Sequence, residues 1–444
     1  MSHNIINNIN RVSKLFQPIN TLPKDAVIKS GVASKSYNLM LDMGIIRQVN
    51  SGMYSLLPLG LRVLQKLEAL VDSEMTKAGA QKMLLPILTS ATLWNRSGRL
   101  KTIGSELFTV EDRHKKLYVL NPTYEEAICE LLAGIIPITS KDLPLKLYQI
   151  SRKWRDEMKP RLGLLRGREF VMKDLYTFDT NLENAQNTYN KICESYDSLF
   201  KQIGVDYVKV IGAAGIIGGS LSHEYHYLSD IGEDTVLLCQ SCGYSVNSEV
   251  LNLSSCLKCN NNLSSHSAIE VGHTFLLDTK YSKPLNATFL DGPKPKPLVM
   301  GCFGLGLTRI IAAVVEILST NEVLRWPNNL APFNVCILTP KKGSKEEIAA
   351  PYAEQIFGIL NELNVDTIID DRIHLTIGRR MFDANRTGYP FIIVIGKTAS
   401  NQNPMFEIHD VKNSTRIDTN IEGIINYFNN QDINREIKQN EAVV

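Results

Sequence analysis

Residues 301–309 read GCFGLGLTR, with glycines at alternate positions 304 and 306 just ahead of Arg309. The apolar spacing from Ile310 to Leu318 predicts a helix that begins at this point. A helix start leaves backbone N–H groups free, and glycines without Cβ atoms let a ligand approach the backbone closely. Arginine adds a planar guanidinium that suits phosphate oxygens. The stretch therefore predicts either a phosphate-binding wall or an ordinary tight turn before a helix.

The composition limits the class of protein. The chain has 444 residues, of which 44% are hydrophobic and 21% charged, and its formal net charge is +2. This length predicts two or three domains with buried cores. No uninterrupted apolar run reaches membrane-spanning length, which argues against an integral membrane protein. Because the net charge is small, any contact with nucleic acid must depend on local basic patches.

Strand patterns follow one another through the first three quarters of the chain. Strands joined by loops favour a mostly antiparallel sheet with helices packed on it. The predicted strands are 117–120, 145–152, 168–179, 208–211, 236–238, 268–277 and 297–302, and the predicted helices are 30–45, 125–135 and 182–203.

A long amphipathic helix is predicted from Leu61 to Lys77, and Gly79 closes it. Residues 82–88 then predict a strand that carries Pro86. Since proline cannot donate a hydrogen bond to a sheet, this strand is expected at an edge. An edge strand beside a long helix predicts a dimerisation surface.

The pattern changes near residue 330, where we place a domain boundary. Strands and helices alternate beyond it, which predicts a small α/β domain with a parallel sheet. The predicted order is strand 335–338, helix 345–363, strand 366–370, helix 377–386 and strand 391–395.

Residues 155–170, RDEMKPRLGLLRGREF, combine a basic loop with two predicted strands. Period-two spacing puts Arg155 and Glu157 on one face of the first strand, and Arg166 and Arg168 on one face of the return strand. Such a hairpin is suited to hold a phosphate with an arginine, and a purine with an aromatic ring and a carboxylate. A solvated hairpin held by salt bridges is the alternative.

The chain has eight cysteines, and four of them form two Cys-x-x-Cys pairs, Cys239–Cys242 and Cys256–Cys259. The other four stand alone, which argues against a secreted disulfide framework and favours a reducing compartment. Two such pairs separated by residues 243–255 predict a tetrahedral, structural Zn²⁺ site.

Three segments together resemble the signature motifs of the class II aminoacyl-tRNA synthetases. Residues 155–170 resemble motif 2, residues 301–318 resemble motif 3, and residues 61–88 resemble motif 1, the dimer element. Other segments are similar to those of the prolyl-tRNA synthetase family, most closely its mitochondrial, bacterial-like members, and the resemblance extends from Ser30 to Gly396. These segments are NPTYEE at 121–126, REFVMKDLYTF at 168–178, IEVGHTF at 269–275, TKYS at 279–282, DDR at 370–372 and GYP at 388–390.

The resemblance implies a two-step reaction in which ATP, with Mg²⁺, activates proline and the prolyl group then passes to tRNA. Positioning and charge neutralisation are expected to supply most of the rate. Arg155 is the implied partner of the α-phosphate and Arg309 that of the γ-phosphate, so these two are the candidate catalytic residues. The implied ATP-binding residues are Arg155, Glu157, Arg166, Glu169, Phe170, Gly304, Gly306 and Arg309.

The resemblance also implies a proline pocket. The secondary ammonium of proline needs a compact acceptor, which Glu125 and Thr123 are suited to provide, and its small ring needs apolar walls. The implied proline-binding residues are Thr123, Glu125, Met172, Tyr176, His273 and Phe275. Thr123 and Glu125 also fit an ordinary helix start, and His273 also fits a hydrogen-bonded structural histidine.

The implied fold is an α+β catalytic domain, built on the antiparallel sheet of class II synthetases with flanking helices, plus a small C-terminal α/β anticodon-binding domain. We expect the catalytic domain at 30–330, with a cysteine-containing insertion at 235–265, and the anticodon-binding domain at 331–430. The implied partners are L-proline, tRNA(Pro) and a second copy of the chain, with no membrane. The basic candidates to face the anticodon stem are Lys341, Lys342, Arg372, Arg379 and Arg380. A non-enzymatic, synthetase-like nucleic-acid-binding accessory subunit is the alternative function.

Residues 1–29 have no acidic residue before Asp25, and they carry Arg11, Lys14 and apolar residues at roughly helical spacing. This pattern fits a mitochondrial targeting peptide and predicts the mitochondrial matrix as the location. A disordered, asparagine-rich start and a cytoplasmic location are the alternatives.

The chain departs from the family in three places. Residues 179–300 leave no room for the large editing domain of many bacterial relatives, so we expect none. Many of those relatives keep only the first Cys-x-x-Cys pair, apparently without metal, so zinc and a metal-free site both stay open. Asp278 stands where relatives usually have glycine, which puts the local turn geometry in doubt.

Overall fold

The computed structural model describes residues 10–19, 34–135, 137–251, 253–292 and 294–431. The chain divides into two compact units. One, called the C-terminal unit below, comprises Met1–Arg47, Ser55–Lys66 and Val314–Val444, and the other, called the sheet unit, comprises Gln48–Tyr54 and Leu67–Ala313.

The described helices are α1 (Lys35–Asp42), α2 (Pro58–Lys77), α3 (Ala91–Arg96), α4 (Arg99–Ile103), α5 (Glu125–Ala133), α6 (Leu182–Ile203), α7 (Ser282–Leu285), α8 (Leu307–Leu318), α9 (Tyr352–Glu362), α10 (Ile377–Thr387) and α11 (Ile421–Asn429). The strands as far as the middle of the chain are β1 (Ile46–Asn50), β2 (Met53–Leu56), β3 (Gln81–Lys82), β4 (Leu88–Ser90), β5 (Phe108–Glu111), β6 (Leu117–Leu120), β7 (Ile138–Thr139), β8 (Leu145–Trp154), β9 (Glu169–Asp179), β10 (Val208–Ile211) and β11 (Leu221–Leu228). The remaining strands are β12 (Asp234–Leu238), β13 (Ser245–Asn247), β14 (Ser264–Asp278), β15 (Thr288–Asp291), β16 (Lys294–Pro297), β17 (Val299–Gly306), β18 (Val335–Leu338), β19 (Thr367–Asp370), β20 (Phe391–Val394), β21 (Phe406–Asp410) and β22 (Thr415–Thr419).

A nine-stranded sheet forms the centre of the sheet unit, in the order β11-β10-β13-β12-β14-β17-β9-β8-β3. Its central strands β14, β17, β9 and β8 pair antiparallel, as the sequence predicts. The 22-residue helix α6 buries one face, which includes Ile192, Tyr196 and Phe200. Asn181 caps the start of α6, and Gly204, at φ 77°, ends it in the left-handed region that glycine favours.

Two local predictions for this unit are wrong, and one strand was missed. Residues 82–88 do not form one strand: β3 ends at Lys82 and β4 begins at Leu88, with Pro86 between them. The Met83 N–H donates the last backbone hydrogen bond to β8, at the Tyr148 carbonyl. Pro86 has no N–H group with which to continue this ladder. Arg155 to Arg168 form a loop between β8 and β9 rather than strand ends, and the buried strand β11 was not predicted from its sequence.

Asp278 adopts the conformation that a glycine would favour. Its φ is 54°, and the pairing between β14 and β17 shifts register between Leu276 and Asp278. Aspartate tolerates the left-handed region better than most residues do, so the turn geometry is kept.

The C-terminal unit contains a five-stranded sheet in the order β19-β18-β20-β21-β22. The β19, β18 and β20 strands are parallel, as predicted, but β21 and β22 add an unpredicted antiparallel hairpin. The predicted helix 345–363 is divided into a short 3₁₀ helix, Lys345–Ala349, and α9. Pro351 stands between them, where a residue without an N–H group suits the start of a new helix.

Not every basic residue predicted to face RNA is free to do so. Arg380 is fully buried and donates hydrogen bonds to the backbone carbonyls of Thr339 and Asp370. Arg372 forms ion pairs with Asp370 and Asp383. Lys341 and Lys342 are exposed, as is Arg379, which pairs with Asp383.

Part of the N-terminal segment 1–29 belongs to the fold of the C-terminal unit. Arg11 bridges to Ile369 in parallel register, and the Ile369 N–H donates to the Asn10 carbonyl at 2.9 Å. Ser13 donates to Asp371 through both its backbone N–H, at 3.0 Å, and its hydroxyl, at 2.7 Å. Arg11 pairs with Glu354 at 2.5 Å. Residues 10–18 are called the N-terminal strap below; residues 1–9 and 20–29 of the predicted targeting segment lie outside the described residues.

None of the helices in the described ranges has both the length and the apolar character needed to cross a lipid bilayer.

Candidate active site

A cavity of about 480 Å³ lies in the sheet unit, over one face of the adjacent strands β14, β17 and β9. Period-two positions on β9 and β17 form its floor: Phe170, Met172 and Asp174 on β9, and Cys302, Gly304 and Gly306 on β17. Its walls include Thr123, Arg155, Glu157, Arg166, Glu270, His273, Phe275 and Arg309. Eleven of the fourteen distinct ATP and proline candidates in the sequence therefore meet in one place. Glu125, Glu169 and Tyr176 are the three that do not line it.

The two glycines of β17 keep the floor open. Gly304 pairs with His273 on one side and with Asp174 on the other, and Gly306 pairs with Met172. A Cβ atom at Gly304 would lie 3.7 Å from the Met172 sulfur, in ordinary contact, so the backbone itself has space for a side chain. Any side chain at these two positions would project into the cavity and fill the room that a ligand needs.

Two arginines give one end of the cavity a positive charge. Arg155 lies with its guanidinium carbon 5.3 Å from the centre of the Phe170 ring, and among the described residues no acceptor is within hydrogen-bond distance of that guanidinium. Burial and the nearby Arg309 charge lower the pKa of Arg155. An anion placed between the two guanidinium groups would offset the repulsion between them and would favour the charged form of the buried Arg155.

Arg309 stands in the first turn of α8 and is held in place by main-chain oxygens. Its Nε donates to the Leu165 carbonyl at 2.9 Å and its Nη1 to the Glu270 carbonyl at 3.0 Å. Arg309 thus fixes the loop between β8 and β9 against β14. Its Nη1 is also 3.6 Å from the Glu270 carboxylate.

The loop between β8 and β9 presents Glu157 and Arg166 together. Arg166 Nε donates to Glu157 Oε2 at 3.0 Å, and Arg166 also pairs with Glu233. Glu169 lies outside this wall, where it pairs with the exposed Arg152 at 2.8 Å. The structure therefore places Glu157, but not Glu169, beside the Arg155–Phe170 pair.

A second part of the cavity lining combines apolar and polar side chains. It includes Met172, Phe275 and Cys302, together with Thr123 and Asp174. Tyr176 lies beneath them: its hydroxyl accepts from the Tyr124 N–H at 2.8 Å and donates to Asp174 at 3.0 Å. Tyr176 thus supports the wall from behind and does not form part of it.

Glu125 lies one layer behind Thr123. The Thr123 hydroxyl is 2.8 Å from both Glu125 carboxylate oxygens, and the Cys302 thiol donates to Oε1 at 3.1 Å. Arg99 pairs with Glu125 at 2.9 Å and with Glu126 at 3.0 Å, and all three side chains are buried. Burial opposes ionisation of Glu125, but the Arg99 charge and these hydrogen bonds keep its pKa below the usual value. The negative charge of Glu125 is therefore available through the Thr123 hydroxyl.

His273 is held rigidly in the wall. Its ring stacks on Phe275 with centroids 3.9 Å apart, its Nδ1 is 2.8 Å from Glu270 Oε1 and its Nε2 is 2.7 Å from Ser222 Oγ. Burial opposes ionisation of Glu270, but His273 and Arg309 hold the pKa of Glu270 well below its usual range. His273 therefore has both a structural role and a place in the cavity lining.

Several residues of this site are absent from the sequence-predicted set. Asp174 and Glu270 lie inside the segments quoted above, two residues beyond Met172 and three before His273, and same-face spacing on β9 identifies Asp174. Cys302 also lines the cavity, and its side chain is otherwise buried. Arg99 carries no local signal, because only the fold brings α4 against the start of α5.

Comparison with known proteins identifies two conserved modules. A family profile described as tRNA synthetase class II core domain (G, H, P, S and T) matches residues 108–318, and one described as anticodon binding domain matches residues 334–431. The probable mitochondrial proline–tRNA ligase of Homo sapiens is 46% identical over 409 residues, which cover 89% of this chain and 86% of that protein. The Schizosaccharomyces pombe protein of the same name is 42% identical, covering 84% and 88%, and the proline–tRNA ligase of Ehrlichia canis is 35% identical, covering 94% and 99%.

Solved structures show the same fold. The prolyl-tRNA synthetase of Cryptosporidium parvum, complexed with halofuginone and AMPPNP, matches with a TM-score of 0.72 at 18% identity, covering 89% of this chain and 76% of that one. The same protein complexed with L-proline and AMP matches with a TM-score of 0.71.

Proposed function

The chain belongs to the proline–tRNA ligase family of the class II aminoacyl-tRNA synthetases, and from this we propose that it joins L-proline to tRNA(Pro) with ATP as the energy source. The observation that carries the proposal is the cavity itself, with two arginines at one end and a small apolar pocket backed by a carboxylate at the other. The alternative function, a non-enzymatic accessory subunit, gains no support from this arrangement, because such a protein needs neither a phosphate-binding pair of arginines nor a small amino-acid pocket.

We assign the ATP phosphates to the arginine end. Arg155, which has no protein acceptor among the described residues, would bind the α-phosphate, and Arg309 would bind the γ-phosphate. Phe170 offers its ring to the adenine, and Glu157 with Arg166 forms the adjoining polar wall. Mg²⁺ would enter with ATP and share the neutralisation of phosphate charge; Glu106, Glu157 and Glu270 are the carboxylates that line this part of the cavity.

We assign proline to the apolar end. Its secondary ammonium would donate to the Thr123 hydroxyl, which the Glu125 charge polarises from behind, and Asp174 is a second carboxylate within the wall. Met172, Phe275 and His273 would enclose the ring. The roles of Glu125 and Tyr176 in this proposal are indirect, because neither lines the cavity.

The proposed reaction requires that the carboxylate of proline meets the α-phosphate of ATP inside the cavity. The proline carboxylate attacks the α-phosphorus, the bond to the β-phosphate oxygen breaks, and pyrophosphate leaves. A terminal ribose hydroxyl of the tRNA then attacks the prolyl carbonyl, and AMP leaves. Arg155 and Arg309 would stabilise charge on the phosphoryl group, and fixed geometry would supply most of the remaining rate.

We further propose a homodimer in which the region after α2 forms the interface. Leu84 is 74% exposed, Ile87 48% and Leu88 41%, and they follow one another where β3 ends and β4 begins. An exposed apolar strip of this kind on a folded chain marks an interaction surface. The resemblance of residues 61–88 to motif 1 makes a second copy the expected occupant.

The remaining proposals concern tRNA and location. The match of residues 334–431 to an anticodon-binding profile supports RNA contact in the C-terminal unit, and Lys341, Lys342 and Arg379 are the exposed cations of the predicted set there. The mitochondrial names of the relatives support a mitochondrial location, and we propose the matrix. The domain boundaries proposed from the sequence, 30–330 and 331–430, stay proposals.

Charging of tRNA(Pro) tests the whole proposal. The purified chain, with ATP and radiolabelled L-proline, should form acid-precipitable prolyl-tRNA(Pro), and tRNA(Ala) should stay uncharged under the same conditions. Lack of any charging, by a preparation that is folded by circular dichroism, would contradict the proposal.

A further inference from the structure

The four paired cysteines converge in the sheet unit, away from the cavity lining. The sulfur atoms of Cys239, Cys242, Cys256 and Cys259 all lie within 4.8 Å of one another. The shortest separations join the two pairs crosswise, 3.4 Å from Cys239 to Cys259 and 3.5 Å from Cys242 to Cys256. The fold thus brings the sulfur atoms of both Cys-x-x-Cys pairs, which residues 243–255 separate in the sequence, into one compact cluster.

Both Cys-x-x-Cys segments have the same backbone shape. The residue after the second cysteine, Gly243 or Asn260, adopts a positive φ of 71° or 58°. Its N–H donates to the carbonyl of the first cysteine, at 3.0 Å for Gly243 and 2.9 Å for Asn260. The Lys258 N–H is aimed at Cys256 Sγ at 3.4 Å. Two matching turns that direct sulfur inward and N–H groups towards it favour thiolate ligands.

The packing around the cluster is sparse. Its buried apolar residues are Leu237, Tyr244 and Val246, with Ile211, Val250 and Leu263 packed at the edge. So small a core gives limited stability, and small modules of this kind are commonly held by a metal.

We propose that these four cysteines bind one Zn²⁺ ion as a closed, structural site, and that this site positions a wall of the cavity. The first Cys-x-x-Cys segment is the turn that joins β12 to β13, and the second leads into β14. A metal would tie the two together at the outer end of β14, the strand that carries Glu270, His273 and Phe275 further along.

The connection from the cluster to the cavity runs through β13. Asn247, at the end of β13, donates to Glu224 Oε2 at 2.7 Å, and the Ala213 N–H donates to Glu224 Oε1 at 3.0 Å. Glu224 is 4% exposed and also contacts His226 at 2.9 Å. Ala213 begins the loop 213–217, all of which lines the cavity.

The same loop belongs to the apolar end of the cavity. Ile217 packs against the core cluster that contains Phe275 and Cys302. If the hairpin of β12 and β13 loosens, Asn247 releases Glu224, and Glu224 in turn releases the start of the loop. Asn247 and Glu224 are therefore positioning residues, and proline binding should suffer before ATP binding does.

Metal analysis of the full chain tests the site without reference to activity. Protein purified without chelators should contain one zinc ion per chain, and four thiols should stay unreactive until the metal is displaced by a mercurial. Cys242→Ser with Cys256→Ser should lose the zinc, whereas Cys193→Ala, which removes a buried thiol outside the cluster, should keep it. Iron in place of zinc, two disulfides by mass spectrometry, or no metal in a folded preparation would each overturn the proposal.

The link to the cavity rests on the proposed function and is tested separately. Asn247→Ala should keep its zinc yet raise the KM for proline in ATP–pyrophosphate exchange on the order of fivefold, with little change in the KM for ATP. The exposed Asn261→Ala, beside the second Cys-x-x-Cys segment, should leave both KM values unchanged. An equal rise in both KM values, or none, would refute the positioning role and leave the metal site standing. Exchange absent in the parent chain as well would instead contradict the proposed function.

Discussion

At the residue scale, the decisive arrangement is the buried Arg99 with Glu125 and Glu126. Burial alone would lower the pKa of Arg99, but the two carboxylates reverse that effect and raise it. Burial raises the pKa of Glu126, so Glu125 holds the more firmly ionised carboxylate of the two. The arginine thus allows a carboxylate to stay charged behind Thr123, in the part of the cavity that we assign to proline, and to polarise the Thr123 hydroxyl.

Removing that arginine should be costly and pH-dependent. We expect Arg99→Met to lower the free energy of unfolding by about 3–5 kcal/mol at pH 8, since it leaves buried carboxylates without a counter-charge. In the variant their pKa values rise above those of the unfolded chain, so the folded state binds more protons and stability falls as the pH rises. The loss should therefore be smaller at pH 5.5 than at pH 8, as measured by urea denaturation.

Arg96→Met is the matched control. Arg96 lies three residues earlier and is exposed, and within the described ranges its side chain donates one long hydrogen bond, to the Pro284 carbonyl at 3.3 Å. Its substitution should change stability by no more than about 0.5 kcal/mol. An Arg99→Met cost equal to that of Arg96→Met, or one that does not depend on pH, would contradict the account of this pair.

At the element scale, the N-terminal strap forms part of the fold although its sequence resembles a targeting peptide. A chain that lacks residues 1–18 should be less stable than one that lacks only residues 1–9 by about 2–4 kcal/mol, and should melt at a lower temperature, since each lost hydrogen bond of the strap contributes about 1 kcal/mol. Differential scanning fluorimetry on the two truncated chains measures the difference. Equal melting temperatures would mean that the strap contributes nothing.

The strap also constrains processing. If a leader is removed on import, we expect the cut to fall before Asn10, because a cut at residue 29 would discard the Ser13–Asp371 hydrogen bonds and the bridge to Ile369. Amino-terminal sequencing of the organellar protein checks this. A mature chain that begins after Pro18 would contradict it.

Sequence patterns predict the elements well where local signals decide them. The bounds of β6, β10 and β18 agree with the strands predicted from apolar runs. The break at Pro86 has a local cause, because proline has no N–H to donate to the ladder. The clearest failure occurs where the decision is not local: β21 with β22 is fixed by pairing to β20. Likewise Thr123 and Arg155 are recognisable in the sequence, but the layering of Glu125 behind Thr123 follows from the Arg99 contact.

At the scale of the whole molecule, the apolar strip Leu84–Leu88 predicts assembly. Leu84→Asp with Ile87→Asp should convert a dimer of about 99 kDa into a monomer near the chain mass of 49.7 kDa, as measured by light scattering after gel filtration. Ile348→Asp, at a position 79% exposed in the C-terminal unit, should leave the dimer intact. A parent chain that is monomeric, or a double variant that stays dimeric, would exclude this strip as the interface.

The central claim is that one cavity brings the carboxylate of proline to the α-phosphate of ATP. The most direct test is ATP–pyrophosphate exchange measured with each amino acid in turn, using the parent chain and Arg309→Ala. We predict exchange with proline well above that with any other amino acid, and a reduction of about 100-fold or more in folded Arg309→Ala, which loses the proposed phosphate contact and the bonds to Leu165 and Glu270. Exchange with no amino acid, preferential exchange with a different one, or near-normal exchange in Arg309→Ala would contradict the account.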